Sequence, residues 1–235
     1  MVTKVDNVAE AAGALLLEKA RVSVEERGRF VLVLSGGSTP LKMYGWLTEG
    51  HADEPFWVHT HIFWGDERFV PHDHPDSNYG AAKAALLGNL AISAEQIHPW
   101  PYVEGNPDAA AAEYADTLQT LGDAFDLTFL GLGNDAHTAS LFPGTGAVFD
   151  EGATTVVRPA GKGVRLTLTA SRLSRSRTVA FLVQGEGKRG ALEATLSPTE
   201  TPDFNETPAR AIRAQEDLLW LTDVELTLPS DSDTD

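Results

Sequence analysis

The sequence predicts an α/β fold: a mostly parallel sheet with helices on both faces, in a single domain. Three observations predict it. Apolar, β-prone runs alternate along the chain with alanine-rich stretches of helical spacing, which is the βαβ pattern. The run FVLVL at 30–34 is continuously apolar rather than alternating, as in a strand buried on both faces. Several runs end in polar segments rich in glycine, where loops of such sheets turn away to a helix.

The elements follow in order. Residues 7–26 carry alanine and leucine at helical spacing with charges opposite. Phe30 to Leu34 is a strand that breaks at Gly36-Gly37. Ser38 or Thr39 can cap the next helix, and Pro40 suits a first helical turn. HIFWGDERF (61–69) reads as a strand running into a polar loop. SNYGAAKAALL (77–87) and PDAAAAEYADTL (107–118) read as helices. FDLTFLGLG (125–133), VRLTLT (164–169) and TVAFLVQG (178–185) read as strands. GKRGALEAT (187–195) opens a helix, and DLLWLTD (217–223) is a last strand. The domain is expected over 1–227, with an acidic, disordered tail at 228–235.

Composition narrows the function. The 235 residues suffice for one substantial core. The apolar stretch AAGALLL (11–17) lacks a basic leader and is too short to cross a bilayer, so neither a signal peptide nor a spanning segment is read. There are no cysteines, which excludes disulfides, thiolate metal sites and cysteine nucleophiles. A cytoplasmic location is expected. The formal net charge is −16, and no basic patch offers itself to nucleic acid or to a membrane. The densest basic run, SRLSRSR (171–177), reads as a solvated loop or helix start between strands. An anionic substrate would have to be held by a few well-placed cations against the field of the whole chain. No strong interface signal is present, and a monomer is expected.

Ligands of parallel α/β sheets sit at the carboxyl ends of the strands, where this chain has SGGSTP, GDERFVPHDHPDSN, GLGNDAHTASLFP and GEGKR. In SGGSTP (35–40), glycines allow close backbone approach, and the following helix N-terminus suits an anion. The stretch also reads as a plain turn. In GDER (65–68), Arg68 would clamp a phosphate or a carbonyl oxygen and Asp66 would orient a partner, the alternative being a surface ion-pair cluster. The pairs His59/His61 and His72/His74 read as polar surface rather than a metal site. His137 follows a glycine-broken strand, with Asp135 two residues before it and Thr138 and Ser140 beside it. A histidine so placed is a natural base at neutral pH. With no G-x-S-x-G elbow in the chain, a base that activates water fits better than a covalent serine. Lys188 stands where a strand gives way to a helix, and Arg165 opens the strand VRLTLT.

These stretches resemble the 6-phosphogluconolactonase family. LSGGSTP (34–40), WGDERFVPHDHPDSNYG (64–80), FDLTFLGLGNDAHTASLFPG (125–144), RLTLT (165–169) and FLVQGEGKRGAL (181–192) stand in the family's order. GDERxVP followed by DSN is specific, and HTASLFPG more so. Glucosamine-6-phosphate deaminases share the fold, a GGSTP-like loop and a histidine loop. Two departures stand out: Ala136 replaces the glycine expected before the histidine, and PAGKGV (159–164) replaces a more proline-rich segment.

The resemblance implies a Rossmann-like sheet and hydrolysis of 6-phospho-D-glucono-1,5-lactone to 6-phospho-D-gluconate, in the oxidative pentose phosphate pathway, with no metal or organic cofactor. The expected catalytic set is His137, Asp135 and Arg68. The expected substrate-binding set is Gly36, Gly37, Ser38, Thr39, Asp66, Asn78, Arg165 and Lys188. The alternatives are an isomerase or deaminase acting on an aldose or amino-sugar phosphate, and a non-catalytic sugar-phosphate sensor.

Overall fold

The computed structural model of the chain describes residues 1–120, 122 and 124–226; the stretch 228–235 lies outside them. The chain opens on a strand the sequence pattern does not reveal, β1 (Val2–Lys4). Three residues show no periodicity. This strand forms because its backbone pairs in parallel with the last strand, β9 (Asp217–Thr222).

Helix α1 (Val8–Arg27) begins where the Asn7 side chain accepts from the N–H groups of Ala9 and Glu10, satisfying two of the donors that a helix start leaves open. It ends at Gly28, whose φ of 71° suits a residue without a Cβ. Its stripe Val8, Ala12, Leu16, Ala20 is fully buried. The chain continues through β2 (Phe30–Leu34), α2 (Ser38–Gly50), β3 (Thr60–Trp64), β4 (Asp66–Arg68), α3 (Asn78–Ala85) and α4 (Pro107–Gln119). Then come β5 (Phe125–Gly131), β6 (Thr154–Val157), β7 (Arg165–Leu168), α5 (Ala170–Leu173), β8 (Ser176–Val183) and α6 (Arg189–Leu196), before β9.

Six strands form the main sheet in the order β1-β9-β8-β5-β2-β3, and every neighbouring pair is parallel. Burial explains the run of apolar residues in β2, where all five side chains are covered. Helix α1 lies across β2, β5, β8 and β9 and packs on α2. The rings of Phe181 and Trp220 stack at 3.8 Å between neighbouring strands. Asp126, at the start of β5, ties the lower end of the sheet. Its carboxylate accepts from the buried Val31 N–H at 2.7 Å and from Arg27 Nε at 3.1 Å.

The sequence reading departs from the structure in the second sheet. β4, β7 and β6 form a three-stranded antiparallel sheet. The GDER stretch is therefore a strand and not the start of a loop, and RLTLT joins this sheet rather than the parallel one. Strands of three and four residues carry too little pattern to reveal their partners, and pairing is a tertiary choice. The basic run does open in a helix between two strands, α5 between β7 and β8, but it is not solvated throughout. Arg172 is buried with its guanidinium 3.8 Å from the Phe125 ring centre, and Arg177 pairs with Glu216 at 2.7 Å.

The sheet order places the site. From β2 the chain crosses to β3 on one side, whereas from β5 it crosses to β8 on the other. The carboxyl ends of the adjacent strands β2 and β5 thus flank a crevice, the switch point where such sheets bind ligands. The loops 35–38 and 132–140 border it.

Candidate active site

The loop after β2 turns at Gly37, whose φ of 106° favours glycine, and Gly37 is the N-cap of α2. Neither Ser38 nor Thr39 is the cap; both lie inside the first turn. No side chain caps this end, so the N–H groups of the first turn are left for a ligand. Gly36 is glycine for a second reason. A Cβ there would overlap the amide oxygen of Asn78.

That asparagine belongs to the scaffold of the next loop. Its Nδ2 donates to the Asp66 carbonyl at 2.9 Å and, at 3.4 Å, to the Asp66 carboxylate. Successive side chains of a strand face opposite ways, and β4 uses this. Glu67 turns to α3, where it accepts from the N–H groups of Asn78 at 2.7 Å and Tyr79 at 2.9 Å and from Ser77 Oγ at 3.0 Å. Asp66 and Arg68 turn to the crevice. Asp66 is buried and accepts from Ser140 Oγ at 2.6 Å. Burial pushes its carboxyl above the usual range, and the Ser140 hydroxyl, Arg68, His137 and Arg165 only partly offset that. GDER is thus no surface ion-pair cluster.

Arg68 stands directly across the ladder from Arg165. Like charges opposite one another are unfavourable, and among the described residues neither guanidinium has a carboxylate within ion-pair distance. Arg68 donates to the Asp76 carbonyl at 2.8 Å. A pair of cations held together in this way suits an anion.

The loop after β5 carries His137. Its Nδ1 is hydrogen-bonded to Asp135 Oδ1, and its backbone N–H donates to the same oxygen at 3.2 Å. The ring rests against Phe142, with centroids 4.4 Å apart. With Nδ1 engaged, Nε2 is the free nitrogen; it has no partner among the described residues. Burial raises the Asp135 carboxyl, but the hydrogen bonds and charge of His137 outweigh that and hold it below its usual range. Gly133 packs under the pair, and a Cβ there would overlap the imidazole. Ala136 does adopt a left-handed φ, 62°, as does Ala139 at 48°. Its carbonyl accepts from Ala209 at 3.2 Å, and Thr138 Oγ1 ties the loop to Gly131 at 2.9 Å. These contacts hold a conformation that costs an alanine about 1–2 kcal/mol.

One cavity of about 600 Å³ collects these groups. Its lining includes Gly36, Gly37, Ser38, Thr39, Asp66, Arg68, Asn78, His137, Arg165 and Lys188. Asp135 stands behind the histidine rather than in the lining. The sequence reading missed Lys162, which lines the cavity from the PAGKGV loop with Nζ 5.2 Å from the Phe142 ring centre. Its charge beside the glycines was the available signal. Burial lowers the Lys188 ammonium and Asp135 partly restores it. Four cations thus meet one carboxylate, Asp66, on the lining of a chain whose net charge is −16.

The histidine pairs lie elsewhere. His61 Nδ1 meets His98 Nε2 at 3.1 Å, and His72 Nε2 meets the Trp100 carbonyl at 2.8 Å. Among the described residues no three His, Cys, Asp or Glu side chains are grouped to hold a metal, and no helix is long and apolar enough to cross a membrane.

The family model described as glucosamine-6-phosphate isomerases/6-phosphogluconolactonase matches residues 3–220. The chain belongs to this family. A 6-phosphogluconolactonase of a Nostoc species is 40% identical over 216 residues, 89% of this chain and 88% of the relative. The crystal structure of 6-phosphogluconolactonase from Thermotoga maritima superposes with a TM-score of 0.83 at 30% identity, covering 94% of this chain and 97% of that one. A monomeric glucosamine-6-phosphate deaminase gives a TM-score of 0.77 at 19% identity, covering 94% and 96%, which is a likeness of fold. The family match covers every stretch singled out from the sequence, from SGGSTP to GEGKR.

Proposed function

We propose that the chain hydrolyses 6-phospho-D-glucono-1,5-lactone to 6-phospho-D-gluconate. The observation that carries this reading is the His137–Asp135 pair, whose histidine lines a cavity together with Arg68, Arg165, Lys162 and Lys188. A base beside a cation-lined pocket suits water attack on an anionic ester, and the named lactonase relatives support the substrate.

In this mechanism Asp135 holds the imidazole with its proton on Nδ1, leaving Nε2 to accept one from water. The water oxygen bonds to lactone C1, and the carbonyl electron pair moves onto its oxygen. Arg68 and loop N–H groups stabilise that oxyanion. The tetrahedral intermediate collapses by breaking the bond from C1 to the ring oxygen, and the histidinium returns the proton to that leaving oxygen. The phosphate sits on the open N-terminus of α2 with Lys188 and Arg165. Splitting Arg165 and Arg68 between the phosphate and the oxyanion that develops at C1 offsets their mutual repulsion. Asp66 orients the sugar ring, and Asn78 holds Asp66.

The test generates the lactone in place and couples its product to 6-phosphogluconate dehydrogenase. Wild type should accelerate hydrolysis over the spontaneous rate. His137→Ala should lower kcat by about 10²–10⁴, the range of a positioned general base, with KM little changed. A wild type no faster than the spontaneous reaction overturns the reading. Release of ammonia from glucosamine 6-phosphate would assign the family's other named chemistry instead.

A further inference from the structure

The PAGKGV loop joins β6 to β7 and has no task in the mechanism above. Lys162 sits at its tip between Gly161 and Gly163, with φ of 72° and 71°. No atom lies within 4 Å of a Cβ built on Gly161, so close packing is not what calls for glycine there. The left-handed turn is. The turn is held by one backbone bond at its tip, from Lys162 N–H to the Pro159 carbonyl at 3.2 Å. The tip is exposed, and Lys162 has no ion-pair partner among the described residues. Its ammonium rests over the buried Phe142 ring, which also packs against the His137 imidazole. Three residues further on, Arg165 enters the same cavity.

We propose that Lys162 is a specificity residue for the phosphoryl group, moving from the face of Phe142 onto the substrate phosphate beside Arg165 when the cavity fills. The inference rests on the lactonase reading. Lys162 is exposed, so its contact with the buried Phe142 ring is made by a hydrated ammonium and is weak, whereas a charge-assisted bond to a phosphate dianion is much stronger. An arriving phosphate therefore wins the ammonium from the ring. Two glycines allow the tip to follow at little conformational cost. The ring serves as a resting place, so the cation waits beside the base without a carboxylate that would compete with the substrate. Because the chain as a whole repels anions, a late-arriving cation at the mouth adds to discrimination where the static lining ends.

The test compares Lys162→Ala and Lys162→Arg with wild type on two substrates: the phosphorylated lactone and unphosphorylated D-glucono-1,5-lactone. Binding of 6-phosphogluconate is measured by calorimetry on the same proteins. For Lys162→Ala the ratio of kcat/KM between the phosphorylated and unphosphorylated lactones should fall about tenfold, through KM. The Kd for 6-phosphogluconate should rise by a similar factor. Lys162→Arg should recover most of both. An unaltered ratio and Kd overturn the inference and leave the lactonase reading intact. Equal losses on both lactones also overturn it, because they assign Lys162 to support of Phe142 and His137. A wild type that does not hydrolyse the lactone overturns the lactonase reading and this inference together.

Discussion

Gly133→Ala isolates the placement of the base from its chemistry. Gly133 is not in the left-handed region, so alanine meets no backbone strain there. The added methyl has a specific obstacle: it would overlap the His137 imidazole and lie 2.5 Å from Asp135 Oδ1. The imidazole cannot yield by bending a flexible end, since it is pinned between Asp135 and Phe142. The loop is tied on both sides of the glycine, by Gly133 N–H to the His137 carbonyl at 2.8 Å and Ala136 N–H to the Gly133 carbonyl at 3.0 Å. The ring must therefore shift, by about an ångström. Misplacement of that size costs about 10² in rate. Overpacking here should cost about 1–2 kcal/mol, because the His137 side chain, 26% exposed, has an outward direction to move. For a domain of this size that lowers Tm by a few degrees, about 2–4 °C per kcal/mol. The coupled lactonase assay and a thermal melt read both effects. Gly190→Ala in α6 is the control: its Cβ has open space, so activity stays and stability rises by up to about 1 kcal/mol. A Gly133→Ala enzyme with kcat within about threefold of wild type would refute the assignment of His137 as an aimed base.

Two further predictions concern the frame. Burial, and after it the charge of His61, hold the His98 imidazole down at about 4. Since this is below the ordinary 6.5, the fold favours the neutral ring; that stability is complete above pH 6.5 and is lost as pH falls towards 4. With the ring half-exposed the contribution is about 1 kcal/mol. Urea unfolding at pH 7 and pH 4.5 should show wild type losing that much more than His98→Phe, and equal losses would count against the argument. Asp126→Ala strips the buried Val31 N–H of its acceptor and leaves Arg27 and Arg177 without a shared partner. It should cost about 3 kcal/mol and lower Tm by about 6–12 °C. Activity at low temperature should persist, because Asp126 stands at the opposite end of β5 from the site; loss of activity in the still-folded variant would contradict that separation.

The order of the long strands and helices, and the glycine-bearing loops after β2, β5 and β8, could be read from the sequence because each rests on local physics. FVLVL is apolar throughout because it is covered on both faces. The stripe from Val8 to Ala20 recurs at helical spacing because one face of α1 is buried. Glycines stand at Gly37 and Gly133 because a turn and a packed imidazole demand them. His137, Asp66, Arg68, Arg165 and Lys188 were legible as charged or titratable groups at strand ends. The tertiary structure decided what depends on partners distant in the chain. It pairs Asp66–Arg68 with Arg165–Leu168 in a second, antiparallel sheet, and so sets two guanidiniums opposite each other. It buries Arg172 on Phe125 while leaving Arg175 of the same basic run exposed. It brings Ser140 to Asp66 across 74 residues of sequence and Lys162 to the ring beside the base. Local sequence specifies φ, ψ and periodicity, but which loops share a crevice follows from strand order, which is settled only when the whole sheet is buried at once.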